Sequence, residues 1–232
     1  IFAFYIHINQ KLAKKSIMFD KIFPKLHNEG YKFLVIFGLA TLVLYLINSF
    51  LGLIGIVLTI WVYYFFRDPD RISINDEDYL VSPADGVVLQ VMETNGPKEL
   101  NLENKKFTKV SVFMNVFDCH VNRIPCSGVI EEIMYVAGKF LNASLDKASE
   151  DNERNYYKIK NNFGEEIVVV QIAGLVARRI VTETSQGEKL DQGSRIGMIR
   201  FGSRAELYFE NYKPLVKVDQ KTIAGETLIA KR

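Results

Sequence analysis

Excess charge of either sign is missing from this chain: 29 Lys and Arg stand against 27 Asp and Glu, a formal net charge of +2. An excess that small gives no electrostatic basis for a nucleic-acid surface. Cysteine is scarce as well. Cys119 and Cys126 cannot make a disulfide framework and fit a reducing compartment. The three histidines, His7, His27 and His120, lie too far apart in sequence for a zinc-type cluster, so no metal is expected. Six prolines and fifteen glycines are scattered without a period, which excludes collagen-like, low-complexity and repeat architectures. A chain of 232 residues holds one ordinary domain plus an accessory segment, with no room for two full catalytic domains.

What the sequence does have is one long apolar run. Residues 33–66, FLVIFGLATLVLYLINSFLGLIGIVLTIWVYYFF, contain no Asp, Glu, Lys or Arg. One straight helix of that length runs roughly 50 Å, well beyond a hydrocarbon core of about 30 Å. Asn48, Ser49 and Gly52 punctuate the middle, so two arms of roughly 15 residues form a tight α-helical membrane hairpin. A buried core helix is the alternative. A secretory signal is excluded because the run is too long, starts late and has no small-residue cleavage site. Lys11, Lys14, Lys15, Lys21, Lys25 and Lys32 precede the run and Arg67 and Arg71 follow it, which puts both flanks on the cytoplasmic face. Trp61, Tyr63 and Tyr64 sit where an interfacial aromatic belt belongs. Residues 1–32 form a basic N-terminal segment, with 1–17 read as an extension and Met18 as a start.

Beyond FFRDPDR the period becomes two. In KVSVFMNVF, Val110, Val112, Met114 and Val116 share a face; in RAELYFE, Ala205, Leu207 and Phe209 oppose Arg204, Glu206, Tyr208 and Glu210. Both read as half-buried strands. Similar runs lie at 79–92, 128–136, 166–173, 176–184, 195–201 and 226–230, separated by Gly, Asn, Asp and Pro clusters. Residues 67–232 are therefore expected to be a mainly β barrel or sandwich with some α. Segment 138–155 is polar and reads as a functional loop with a helical turn.

Four places carry chemistry. SPADGVV sets Asp85 before Gly86, also a common turn pattern. FDCHVNRIP holds His120 directly after an apolar strand, where a lone histidine is more often structural than catalytic. GLVARRIV carries Arg178 and Arg179 in an apolar strand; alternation sends one to each face, and an inward guanidinium needs a carboxylate or a phosphate. GSRIGMIRFGSRAELYF places Gly202 and Ser203 at a short connection between strands, a frequent plain turn. Asp, His and Ser allow a hydrolase triad, but no G-x-S-x-G elbow and no βαβ alternation surround Ser203.

Taken together, FFRDPDR, SPADGVV, FDCHVNRIPCSG, GKFLNASLDKAS with NER, QIAGLVARRIV and RFGSRAELYF resemble, in order from about Phe19 to the C-terminus, the short prokaryotic phosphatidylserine decarboxylase proenzymes. The resemblance implies a self-processing chain that cuts itself at Gly202-Ser203 into a β chain (1–202) and an α chain (203–232), which stay together as a heterodimer. Ser203 becomes a covalent pyruvoyl group, with no pyridoxal phosphate and no metal. The resemblance makes His120 the base and Asp85 its orienting partner. The pyruvoyl group then forms a Schiff base with phosphatidylserine and yields phosphatidylethanolamine and CO2, the work of a carboxy-lyase in phospholipid biosynthesis. Arg178 or Arg179 is the candidate for the lipid phosphate. Longer members carry a second histidine where this chain has Arg123, which leaves open whether His120 serves both steps. The apolar hairpin and its basic flanks place the protein at the cell membrane, peripheral or hairpin-inserted, with its catalytic domain on the cytoplasmic side, and a lipid substrate agrees with that. Two other readings remain at this point: a decarboxylase of an ether-linked archaeal lipid with the same head group, and a membrane-anchored β-rich binding module without catalysis.

Overall fold

A computed structural model describes residues 23–144, 151–174, 179–200 and 203–232. The chain divides into two compact units, Ile1–Asp70 and Arg71–Arg232.

In the first unit, α1 (Asn28–Ile47) and α2 (Ser49–Phe65) meet at Asn48. Asn48 has an extended backbone, and its Oδ1 accepts from Phe50 N at 2.8 Å, capping α2 where free amides would otherwise be left. Small residues let the arms approach: a Cβ at Gly55 would lie 2.8 Å from Thr41 Oγ1, and the Thr41 and Thr59 hydroxyls meet at 2.9 Å across the pair. At the open end, His27 N donates to the Phe66 carbonyl at 2.8 Å and Phe33 stacks on Phe66. The arms are longer than the roughly 15 residues expected, because α1 starts five residues before the apolar run, capped by His27 Nδ1 accepting from Glu29 N. At about 1.5 Å per residue α1 is about 30 Å long. Only 6% of its apolar window is buried, so it is not the core helix of the alternative reading.

The second unit is mainly β, with a curled eight-stranded sheet at its centre. Its strands are β1 (Tyr79–Val81), β2 (Gly86–Asn95), β3 (Lys106–Met114), β4 (Val121–Arg123), β5 (Gly128–Val136), β6 (Arg154–Asn161) and β7 (Glu166–Ala173). Then follow β8 (Ile180–Thr182), β9 (Lys189–Leu190), β10 (Arg195–Ile199), β11 (Ser203–Phe209), β12 (Lys213–Pro214), β13 (Lys221–Thr222) and β14 (Leu228–Lys231). The main sheet runs β13-β2-β3-β11-β7-β6-β5-β9, flanked by β4-β10-β8 and β1-β14-β12. Every strand-to-strand pairing among the described residues is antiparallel, and β11, β13 and β14 pair with strands remote in sequence.

The expected strand at 79–92 is broken by the Ser82–Asp85 turn, and Val116 lies in the turn after β3. β6 went unread: RNYYKIKN begins inside the segment expected to be a loop, yet it pairs with β5 on one side and β7 on the other.

β11 is also not half-buried. Its seven residues are all buried, because the two faces meet two cores. Ala205, Leu207 and Phe209 join Val110, Val112, Met114 and Val169 in the larger one. On the opposite face Tyr208 packs with Leu100, Leu102, Phe107, Tyr156, Val168 and Val170. There Glu206 meets the Arg204 guanidinium at 3.1 Å and accepts from the Tyr208 hydroxyl at 2.8 Å, so the covered charges are paired.

Buried tyrosines set an alkaline limit on this fold. Burial pushes the Tyr157 hydroxyl up to about 12, only partly offset by Thr182 and Asn155, and also raises Tyr156, Tyr208 and Tyr212. Below the unfolded value near 10 neither state ionises; between 10 and 12 the unfolded chain loses the proton first, so stability falls as pH rises. In detergent, the guanidinium midpoint of the full chain should hold to pH 9.5 and drop steeply by pH 11.5. Tyr157→Phe should remove up to about 2 kcal/mol of that drop.

Candidate active site

The turn that separates β1 from β2 is Ser82-Pro83-Ala84-Asp85, and all of its carbonyls up to Ala84 are taken. Gly225 N donates to the Ser82 carbonyl at 2.8 Å, Arg123 N to that of Pro83 at 3.0 Å, and the Ser82 and Thr222 hydroxyls to that of Ala84 at 2.7 and 3.0 Å. Gly86 has φ +151°, and a Cβ there would lie 2.0 Å from the Phe113 carbonyl oxygen, so only glycine lets β2 start against β3. The turn delivers Asp85 nearly buried. Its Oδ1 accepts from Ala224 N at 2.8 Å and its Oδ2 from Arg71 Nη2 at 2.7 Å. Arg71, expected only as a flanking positive charge, is therefore the ion-pair partner of Asp85.

His120 is fully buried at the entry to β4, its carbonyl accepting from Ile199 N of β10 at 3.2 Å. Its Nδ1 lies 3.0 Å from the Asp118 carbonyl oxygen. A carbonyl only accepts, so this contact assigns a proton to Nδ1.

Ser203 opens β11, fully buried, opposite Met114 of β3 and Ala173 of β7. Its hydroxyl donates to Met114 Sδ at 3.8 Å. Asn122 Nδ2 reaches the same sulfur at 3.6 Å and the Pro83 carbonyl at 3.2 Å. Through Asn122, the strand that follows His120 touches both the turn that carries Asp85 and the thioether on Ser203. Met114 and Asn122 were not singled out in the sequence: one reads as a core residue at a strand end and the other as a polar strand residue.

The remaining sequence candidates fare differently. Arg178 and Gly202 lie outside the described residues. Arg179 is exposed and precedes β8, which is confined to Ile180–Thr182, so the expected strand does not bury it. Arg123 is buried and donates from Nη1 to the Gly193 carbonyl at 2.7 Å. Cys126 is pushed up to about 12 by burial, then by Glu165 and Glu77, and stays a protonated thiol. Among the described residues, no group of three His, Cys, Asp or Glu converges to hold a metal ion.

Comparison with known proteins follows the same residues. A family model described as phosphatidylserine decarboxylase matches residues 58–230. A protein of Pelagibacter ubique named phosphatidylserine decarboxylase proenzyme is 74% identical over 215 residues, covering 93% of this chain and all of the relative. Proteins of the same name from Ruegeria pomeroyi and Cereibacter sphaeroides are each 52% identical over 214 residues, covering 92% of this chain and 98% and 92% of their own lengths.

If Gly86 is what seats Asp85, Gly86→Ala should lower stability by on the order of 3 kcal/mol, read from the guanidinium midpoint. It should also slow whatever step uses Asp85, whereas the same exchange at Gly164, where a Cβ meets nothing within 4 Å, should spare that step.

Proposed function

The chain belongs to the phosphatidylserine decarboxylase family, and from that premise we propose that it is a self-processing, pyruvoyl-dependent enzyme that decarboxylates phosphatidylserine to phosphatidylethanolamine. The observation that carries this reading is Ser203: the one hydroxyl residue of the RFGSRAEL motif is the buried first residue of a central strand.

In the processing step, Ser203 Oγ attacks the Gly202 carbonyl carbon and its proton passes to His120 Nε2. The C–N bond breaks as the amide nitrogen takes a proton, leaving an ester. Loss of the Ser203 Cα proton then breaks the Cβ–O bond, frees residues 1–202 with a carboxylate end and leaves dehydroalanine. Its imine tautomer takes up water and releases ammonia, giving the pyruvoyl terminus. In this reading the Asp85 carboxylate, itself held by Arg71 and Ala224, orients the His120 imidazole and stabilises the imidazolium that forms.

The site residues fit such a group. The Ser203 Cβ position, which becomes a methyl, faces a thioether that tolerates both a hydroxyl and a methyl. Cutting ahead of β11 also costs no strand: β11 stays paired to β3 and β7, β13 to β2 and β14 to β1, so residues 203–232 stay embedded as the partner of residues 1–202. When formed, the pyruvoyl carbonyl supplies the electron sink for the pair left by departing CO2. His120 then returns a proton from Nε2 to the carbon that lost the carboxylate.

The lipid phosphate is met by Arg179 or Arg178, since a guanidinium grips two phosphate oxygens at once. A two-chain lipid stays in the bilayer, and the apolar hairpin, with both ends on one side, tethers the enzyme to the cytoplasmic face of the cell membrane. The relatives' names favour this reading over the ether-lipid decarboxylase and over the non-catalytic module.

Release of CO2 from phosphatidylserine in detergent micelles tests the reading. Ser203→Ala should abolish it and His120→Ala should lower it by about a hundredfold or more; full activity in Ser203→Ala would refute it. Arg178→Gln and Arg179→Gln should raise the apparent KM, and unchanged KM in both removes them from the site.

A further inference from the structure

The larger core of the β unit contains a run of polar side chains that neither Ser203 chemistry nor any strand pairing uses. Tyr157 of β6, Gln171 of β7 and Asn122 of β4 are all fully buried. The Tyr157 hydroxyl lies 2.8 Å from Gln171 Oε1, and Gln171 Nε2 lies 2.9 Å from Asn122 Oδ1. Asn122 Nδ2 ends the run on the Pro83 carbonyl and on Met114 Sδ, the atom that accepts from the Ser203 hydroxyl. Register brings the run beside Ser203: Gln171 stands opposite Ala205, on the sheet face that also carries Ser203 and Met114.

The sense of the run is fixed at one end. The Pro83 carbonyl only accepts, so Asn122 must present its N–H2 there and turn Oδ1 to Gln171. Gln171 must then present its own N–H2 to Asn122 and Oε1 to Tyr157, which leaves Tyr157 as the donor, its single hydroxyl proton shared between Gln171 Oε1 at 2.8 Å and the Ile196 carbonyl at 3.2 Å. Every bond therefore points the same way, and bonds aligned head to tail polarise one another in a low-dielectric interior. Burying two amides and a phenol in an apolar core is costly unless all are satisfied, and here they converge on the turn before Asp85 and the sulfur beside Ser203.

We infer that Tyr157, Gln171 and Asn122 form a positioning relay for the self-cleavage at Ser203. Tyr157 orients Gln171, Gln171 orients Asn122, and the Asn122 amide clamps the Pro83 carbonyl and the Met114 thioether. The thioether is a weak acceptor: it aims the Ser203 hydroxyl without holding its proton against a base. The inference rests on the reading that Ser203 attacks Gly202, and it places the relay before the ester forms.

The test uses the full chain made by cell-free synthesis in detergent and sampled over time for conversion of one chain into two at the Gly202-Ser203 bond, with and without hydroxylamine at neutral pH, which attacks an oxyester but not the Gly202-Ser203 amide. Asn122→Asp and Gln171→Glu keep shape and volume while removing the N–H donors. Each should slow conversion by about tenfold or more, and hydroxylamine should not restore it, because the block precedes the ester. Tyr157→Phe, which deletes one hydroxyl, should slow conversion by about threefold and serves where the amide variants give no cooperative melt. Conversion at the wild-type rate in the folded variants, or slowing that hydroxylamine relieves, overturns the relay. Ser203→Ala runs alongside: if it too is cut, the self-cleavage reading itself falls; if it stays whole while the amide variants convert normally, only the relay falls.

Discussion

The β unit depends on β11 being held from both sides. Its backbone pairs with β3 over Ser203–Phe209 and with β7 over Ser203–Tyr208, and its side chains enter two separate cores. A strand so placed cannot be peeled off an edge, and its first residue is positioned by seven consecutive pairings. That is the precision a nucleophile requires, since a misplacement of about 1 Å is enough to forfeit most of the advantage of proximity. The same constraint accounts for the buried Arg204, Glu206 and Tyr208. With both faces covered, strand alternation still sends a polar set inward, and it survives by pairing within itself.

Around this strand, the other site elements are locked by contacts remote in sequence. Asp85 is fixed by Arg71 from the start of the unit and by the Ala224 amide from near its end. His120 is fixed locally, by the carbonyl two residues earlier. The proposed relay adds a third kind of control, in which a phenol on β6 acts through two amides on one carbonyl and one thioether beside Ser203. In each case a polar group is held by a partner with only one possible role, a carbonyl that accepts or a guanidinium that donates, and this makes the arrangement unambiguous.

Much of this was legible in the sequence where the physics is local. A period of two gave the bounds of β5 at Gly128–Val136 and β7 at Glu166–Ala173, and the uncharged run with Asn48 in its middle gave the two helices. The six motifs gave the family. What stayed hidden was set by tertiary pairing. RNYYKIKN has polar residues on both of its faces and declares itself only once β5 and β7 lie beside it. RAELYFE looks half-buried because nothing in it announces that Leu100 and Leu102 join the core over its polar face. Arg71 looks like a membrane-flanking cation until the turn at Asp85 comes within 2.7 Å. Likewise no local pattern links Tyr157, Gln171 and Asn122, which come from three strands.

The central claim is that an ordinary serine at the head of β11 turns into a carbonyl-bearing terminus while its strand stays in place. An intact-mass spectrum of the purified, active chain under denaturing conditions, before and after treatment with phenylhydrazine, tests it most directly. The account predicts two polypeptides that meet at Gly202-Ser203, the smaller one lighter by one ammonia than a serine-started peptide and able to take up one phenylhydrazine. A single polypeptide spanning that bond in fully active material, unreactive to phenylhydrazine, would contradict it.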